Sequence, residues 1–506
     1  MIALTSLALL AIVARARTFG NPVLGFDEQF YLLVGDRMLQ GAVPFVDVFD
    51  RKPVGLFLIY AAVRLLGGDG FLQYKLVATC FVVLTGVGVF LLARHRANRF
   101  GALAAAATYV LWLNFMEGEG GQTPVFYDLP MIAAGAAVTT AAMRTGMTRA
   151  AGLVAMTAVG LAIQIKYSVA LEGVYFGCVL LWLGSRDREP FARLVVSGML
   201  WIAAAALPTL LAFAWYAADG HIHDFVFSNV TSALGQRRRP LGTEITGLAV
   251  IGAILLPLLV GVAIARPWRD RDVGRRILAG WFVVAIAAML VYGRFDSPHY
   301  GIPLLVPACV LLAPVLDGTL RRRIGIVLAL ATTLAAGQAV LAVSERYKGG
   351  REAAMAVAAA AKPTGDCIYV YDGYPALYML TGSCLPTKWS FPGHLATRDE
   401  STSAAIGVDP VQEVTRTLAT RPVAIVDDYP RFAFGNLATR RIVDRALASD
   451  YRLVACISTG PERTRLVYRR DAPSAARPPK SCPHALLMRP KQDADAGRPT
   501  ANAQNR

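Results

Sequence analysis

The chain is 506 residues long, 55% hydrophobic and only 17% charged, which excludes both an ordinary soluble enzyme and a disordered tail. Its 51 Lys and Arg against 35 Asp and Glu give a formal charge of +16, but these residues stand in short clusters between apolar runs, so the partner is a lipid bilayer and not nucleic acid. Seven cysteines without CxxC or Cys/His spacing exclude a disulfide scaffold and a zinc site.

Apolar stretches occupy residues 1–14, 72–93, 101–116, 126–143, 150–165, 167–184, 194–216, 244–265, 277–292, 301–316 and 324–343. At roughly 15–22 residues each can cross a bilayer, so about eleven membrane spans are expected. The first lacks a basic n-region and runs straight into Arg15 and Arg17, and it reads as an uncleaved anchor. Arginines cluster after every second span: Arg94, Arg96 and Arg99; Arg144 and Arg149; Arg186, Arg188 and Arg193; Arg266, Arg269, Arg271, Arg275 and Arg276; Arg321 to Arg323. These are the expected cytoplasmic loops of a multi-pass protein of the bacterial inner membrane. Residues 15–71, 117–125, 217–243, 293–300 and everything after about 344 then face the periplasm. The segment Pro53 to Gly67 is apolar but short and reads as re-entrant or interfacial, since another crossing would invert all five basic loops.

Beyond residue 344 the pattern becomes soluble. CIYVYDG (367–373), PVAIVDD (422–428), YRLVACI (451–457) and TRLVYRR (464–470) read as strands, and residues 351–362 and 410–421 as helices. The expected fold is a polytopic α-helical membrane domain over 1–343 with a large first outer loop at 15–71, an α/β domain over 344–470, and a disordered Pro/Ala/Arg-rich tail over 471–506. Cys367 and Cys384 lie in the same outer domain, where an oxidising compartment would permit pairing.

Polar clusters on the outer side are the places to look for chemistry. Asp27 and Glu28 are adjacent carboxylates opening an amphipathic run; one can act as a general base, or both can simply charge a helix start. Arg51 and Lys52 precede Pro53, a cationic helix start suited to a phosphate, or two side chains snorkelling among headgroups. Asp128, at the mouth of the fourth span, is a second carboxylate able to face Asp27 across a cavity, whereas Glu117 and Glu119 read as helix-capping residues. Lys166, flanked by apolar residues, needs a phosphate or carboxylate partner unless it snorkels. Arg237, Arg238 and Arg239 break the charge rule, and Arg294, Asp296, His299 and Tyr300 gather before the tenth span; a lipid phosphate or anionic headgroups would account for them. The His221/His223 pair with Asp224 is too sparse to be read as a metal site.

The order of DExxY (Asp27, Glu28, Tyr31), Lys52-Pro53, YDLPM (127–131), IKYS (165–168) and PHYGIPLLVP (298–307) resembles the GT-C glycosyltransferases. More narrowly it resembles the family 39 type, which includes protein O-mannosyltransferases and the bacterial lipid A aminoarabinose transferase. The resemblance covers most of residues 1–345; it departs at Val54, where the family often continues KPP, and the soluble domain matches no substrate subgroup. It implies transfer of a sugar from a polyprenyl-phosphate donor to a glycan, lipid or protein hydroxyl on the outer side, with no permanently bound cofactor. On this reading Asp27 is the base of an inverting single displacement, and Glu28 or Asp128, with Tyr31, positions the acceptor or sugar. Arg51, Lys52, Lys166, Arg237, Arg238, Arg294, His299 and Tyr300 hold the departing phosphate, itself a good leaving group that obliges no metal. The outer domain is expected to select the acceptor. A transporter or flippase for a lipid-linked or acidic solute is the alternative, although no internal repeat is present.

Overall fold

A computed structural model describes residues 2–362, 366–470 and Cys482; the remainder of the 471–506 tail lies outside the described residues. A helix stands at each of the expected spans. Among the described residues, eight stretches are long and apolar enough to cross a membrane: Phe71–Ala93, Thr123–Met143, Tyr167–Arg186, Phe191–Ala218, Leu241–Arg269, Val273–Tyr292, Pro298–Leu316 and Leu320–Ala361. The other three expected spans are the shorter helices Ile2–Arg15, Arg99–Trp112 and Thr148–Ile163, packed among these neighbours. By length and hydropathy of its helices, the chain is a multi-pass membrane protein.

Local chemistry sets the helix ends. Asn98 accepts from the amides of Phe100 at 2.8 Å and Gly101 at 3.0 Å, and Asp272 accepts from Arg275 at 2.8 Å. Pro190 and Pro240 stand immediately before the Phe191 and Leu241 helices. The basic junctions meet at one end of the bundle: Arg96 pairs with Asp272, and the Asn98 amide donates to Asp317 at 2.9 Å.

At the other end, the first loop folds into two helices, Phe26–Leu39 and Val54–Arg64. They cross at Gly35, where a Cβ would lie 2.6 Å from the backbone of Tyr60 and Ala61, so only glycine permits the approach. The segment expected to be re-entrant or interfacial contains an 11-residue helix, shorter than a membrane span, whose Phe57 and Tyr60 are fully buried. Leu56 donates its amide to the carbonyl of Gln164 at 3.0 Å, tying this helix to the loop that carries Lys166.

Helix Arg351–Ala361 leads into a four-stranded sheet of order β1-β2-β4-β3, with β1 Ile368–Val370, β2 Ala424–Tyr429, β3 Arg452–Ser458 and β4 Thr464–Arg469. β1 and β2 are parallel and the other pairings antiparallel. Helices Pro410–Ala419 and Leu437–Ser449 pack on each other, capped by Asp409 and Asn436. Disulfides join Cys367 to Cys384 and Cys456 to Cys482, the second holding one point of the expected disordered tail. The sheet unit rests on the first loop: Gln29 accepts from the Ala376 amide at 3.3 Å, and Phe49 donates its amide to Lys388 at 2.9 Å.

Candidate active site

A cavity of ≈ 500 Å³ opens between the first loop, the loops at 117–122, 166–168, 229–239 and 292–300, and segment 391–400 of the sheet unit. Asp27, Tyr31, Arg51, Lys52, Lys166, Arg294, His299 and Tyr300 all line it, brought together from positions up to 273 residues apart.

Asp27 and Glu28, neighbours in one helix, point in different directions, because adjacent helical residues are about 100° apart. Asp27 lines the cavity and accepts a long hydrogen bond from Tyr31 Oη at 3.4 Å. Glu28 turns away and is buried against Gly120, where a Cβ would lie 2.0 Å from its carboxylate. Burial raises Glu28 to about 7, against the pull of Lys75. The expectation that Glu28 contacts substrate is therefore corrected: its side chain lies beneath the cavity wall.

Asp128 is corrected in the same way. It sits in the interior of the bundle, 1% exposed, accepting from Tyr109 Oη at 3.1 Å, and does not face Asp27. Thr123–Met143 begins a turn earlier than the sequence suggests, so Asp128 falls inside the helix rather than at its mouth.

The cations divide into two groups. Arg51 is held at all three nitrogens, by Ser232 Oγ at 2.7 Å, Glu400 at 3.1 Å and the Ala405 carbonyl at 3.1 Å. Arg239 pairs with Asp296 and Asp399, each at 2.8 Å, and Arg294 lies 3.8 Å from Asp399 and 3.7 Å from Glu400. Burial would lift Glu400, but Arg51 and Arg294 hold it below its ordinary value, so it stays charged. Three arginines thus meet three carboxylates. Arg237 and Arg238 are exposed and do not line the cavity, which corrects their assignment as phosphate ligands.

Lys52 and Lys166 differ. Among the described residues neither ammonium has an ion pair; Lys52 lies 5.7 Å from the Tyr31 ring, and Lys166 sits over Tyr300 at 4.8 Å and Tyr292 at 5.2 Å. Of the phosphate or carboxylate partner expected for Lys166, no carboxylate pairs with it among the described residues, and two aromatic faces lie against it instead. Burial alone would lower Lys52, but Asp50 and Asp27 outweigh it and keep its affinity for a proton above the ordinary value.

Glu117 was expected to cap a helix. It lines the cavity instead, accepting from Ser297 and lying 3.4 Å from His299 Nδ1 and 3.7 Å from Lys348. Burial pushes it up, but the His299 hydrogen bond and Lys348 prevail and hold it at about 2. Glu119, also lining the cavity, is raised by burial. Sequence reasoning singled out Arg239 together with Arg237 and Arg238, but missed Lys348, His394 and Glu400 as cavity residues; each comes from an element remote in the chain. His221 lies 3.7 Å from Asp219 and Asp224, and among the described residues no set of three His, Cys, Asp or Glu gathers as metal ligands.

The sequence matches no protein-family model and none of the curated proteins. Its fold, however, is similar to that of ArnT from Cupriavidus metallidurans. Against the crystal structure in the apo state the TM-score is 0.62 at 15% identity, and against the one bound to undecaprenyl phosphate it is 0.60 at 14%. Each alignment covers 92% of this chain and 97% of the other, membrane bundle and C-terminal unit together.

Proposed function

We propose that the chain is a GT-C glycosyltransferase that takes a sugar from a polyprenyl-phosphate donor and gives it to an acceptor hydroxyl. The observation that carries this reading is the pair Lys52 and Lys166, whose amino groups make no ion pair among the described residues and line a cavity that also contains Asp27. An unpaired ammonium in such a place is costly unless an anion joins it. A phosphate monoester or diester supplies that anion, and the structurally similar ArnT, which binds undecaprenyl phosphate, supports the choice.

The chemistry follows. The bond between the anomeric carbon and the phosphate oxygen breaks, and the charge that grows on that oxygen is stabilised by Lys52 and Lys166. The acceptor oxygen attacks the opposite face of the anomeric carbon, giving inversion, and its proton passes to the Asp27 carboxylate. Tyr31, through its hydrogen bond to Asp27, orients that carboxylate. Arg51, Arg239 and Arg294, already matched by carboxylates, fix the cavity wall. The phosphate leaves without needing a metal ion.

The site is assigned to the non-cytoplasmic face of the bacterial inner membrane. Two observations support this: the alternate arginine-rich junctions lie at the opposite end of the bundle, and the four cysteines of the C-terminal unit are paired whereas Cys80, Cys178 and Cys309 are free.

Asp27→Asn tests the reading. Purified wild-type protein incubated with a radiolabelled polyprenyl-phosphate sugar and membrane extract should transfer label, and the variant should lose about three orders of magnitude in rate while binding undecaprenyl phosphate normally. Full transfer by the variant removes Asp27 from the reaction. Passage of the lipid across vesicles with no transfer would instead support a flippase.

A further inference from the structure

The wall that segment 391–400 contributes has a different character from the lysine side of the cavity. His394, on the short helix Pro392–Ala396, lines the cavity yet is only 3% exposed. Its ring packs against Phe49 at 4.9 Å, Phe391 at 5.1 Å and Phe30 at 6.1 Å. Among the described residues, no hydrogen-bond or ion-pair partner reaches its imidazole, and Nδ1 is a buried polar atom left unsatisfied. Burial, with Arg51 and Lys52 nearby, pushes its affinity for a proton well below the ordinary value, so the ring is neutral, with one nitrogen to donate and one to accept.

Phe26 and Phe432 form the rim beside it, 39% and 45% exposed, with Phe391 edge-on to Phe26 at 5.0 Å. The loop bearing Phe432 is fixed to the His394 segment: Arg398 donates its amide to Phe434 at 2.8 Å, and Asn436 to Ala396 at 2.8 Å. The rim is therefore a held feature of the cavity.

A neutral hydrogen-bonding ring surrounded by aromatic faces does not suit a phosphate, whose charge finds its partners at Lys52 and Lys166. It suits a ligand with an apolar face and hydroxyls at its edge, which is the make-up of a sugar ring. Phe26 and Asp27 both line the cavity, so a ring resting on Phe26 brings a hydroxyl towards the carboxylate that receives the acceptor's proton. Resting on the glycosyltransferase reading above, we propose that the acceptor is itself a carbohydrate, its ring seated on Phe26, Phe391 and Phe432 and one hydroxyl hydrogen-bonded to His394. His394 is thus an acceptor-positioning residue.

Saturation-transfer NMR on the full chain in detergent tests this, with the methyl glycosides of mannose, galactose and arabinofuranose as probes and N-acetylserine methylamide as the peptide-like control. Undecaprenyl phosphate binding is followed separately by native mass spectrometry. Wild-type protein should saturate ring protons of at least one glycoside and not the serine probe. Phe432→Ala, Phe391→Leu and His394→Ala should each reduce that signal at least fivefold, and His394→Gln, which keeps a donor and an acceptor, should recover more than half of it. Undecaprenyl phosphate binding should persist in all four. Because Phe432 is at the rim and half exposed, its variant remains informative if His394→Ala fails to fold. No glycoside signal in wild-type protein that binds undecaprenyl phosphate, equal signal in the variants, or preference for the serine probe would each overturn the proposal while leaving the donor reading intact. Loss of undecaprenyl phosphate binding in wild-type protein would overturn the donor reading itself.

Discussion

Two pairs of cations on either side of the Phe26–Leu39 helix separate what supports this site from what acts in it. Beneath the helix, Arg15 donates to the carbonyls of Gly118 and Gly120, each at 2.6 Å, and to Thr79 Oγ1 at 3.1 Å. Lys75 donates to the carbonyls of Thr18 and Asn21 at 2.6 and 2.7 Å. Both are fully buried, and both spend their donors on backbone of the first loop and the 117–122 loop. Above the helix, Lys52 and Lys166 lie against aromatic faces, and among the described residues neither makes a hydrogen bond or an ion pair through its amino group. The lesson is that a buried charge whose donors are consumed by the fold is structural, whereas one facing a cavity with donors to spare is ready for a ligand.

The largest effect should fall on the lower pair. Arg15→Met removes three hydrogen bonds and one of the buried charges that interact with Glu28 and Glu119, so a loss of about 3–5 kcal/mol in stability is expected. It should appear as a clear fall in the thermal midpoint of the detergent-solubilised protein. An unchanged midpoint would break the comparison from below.

Lys166→Met and Lys52→Met are the reciprocal experiments. Each should lower kcat/KM for the polyprenyl-phosphate donor about 100-fold, or about 2.7 kcal/mol. The thermal midpoint of Lys166→Met should hold or rise, since a buried unpaired amine is replaced by an apolar chain of similar length, whereas that of Lys52→Met should fall slightly because Asp50 and Asp27 lose the charge that favours them. A variant that melts early with its activity per folded molecule intact would move that lysine into the structural class.

Which pair was legible in the sequence depends on what fixes each. The spans, the soluble strands and the re-entrant helix are written in local hydropathy, and elements stand at all of those positions. Lys52, Lys166 and Asp27 were legible because each is a polar residue in an apolar setting with few structural excuses. Arg15 looked like an ordinary flanking charge, since its partners lie 103 and 105 positions away. The choice between Asp27 and Glu28 depends on helix rotation, which a two-residue motif cannot settle. Asp128 misled because its apolar surroundings hid how far the helix extends before it. The sheet unit's contribution, His394 and Glu400, had no local signal, because a cavity wall built from another part of the chain is a product of tertiary packing.

A smaller effect concerns Glu117, which touches both classes: it lines the cavity but is engaged by Ser297, His299 and Lys348. Its carboxylate is held at about 2 in the folded protein against an ordinary 4.5. The folded pKa is the lower one, so the contribution to stability is complete above about 4.5 and is lost as pH falls towards 2. The midpoint difference between wild type and Glu117→Gln should therefore be constant from neutral pH down to about 5 and then shrink. A constant difference at all pH values would mean that the charge of Glu117 does not stabilise the fold.

The smallest effect should come from Arg237 and Arg238, which lie outside both pairs. They are exposed beside Arg239, whose guanidinium pairs with Asp296 and Asp399. An exposed arginine without a buried partner contributes little, so the double variant Arg237→Ala, Arg238→Ala should change donor kcat/KM less than twofold and leave the thermal midpoint unmoved. Arg239→Ala, one residue on, should lower the midpoint by leaving Asp296 and Asp399 with less compensation. If the double variant proves as damaging as Arg239→Ala, the donor reaches beyond the cavity, and free donors at the surface would have to be counted with Lys52 and Lys166.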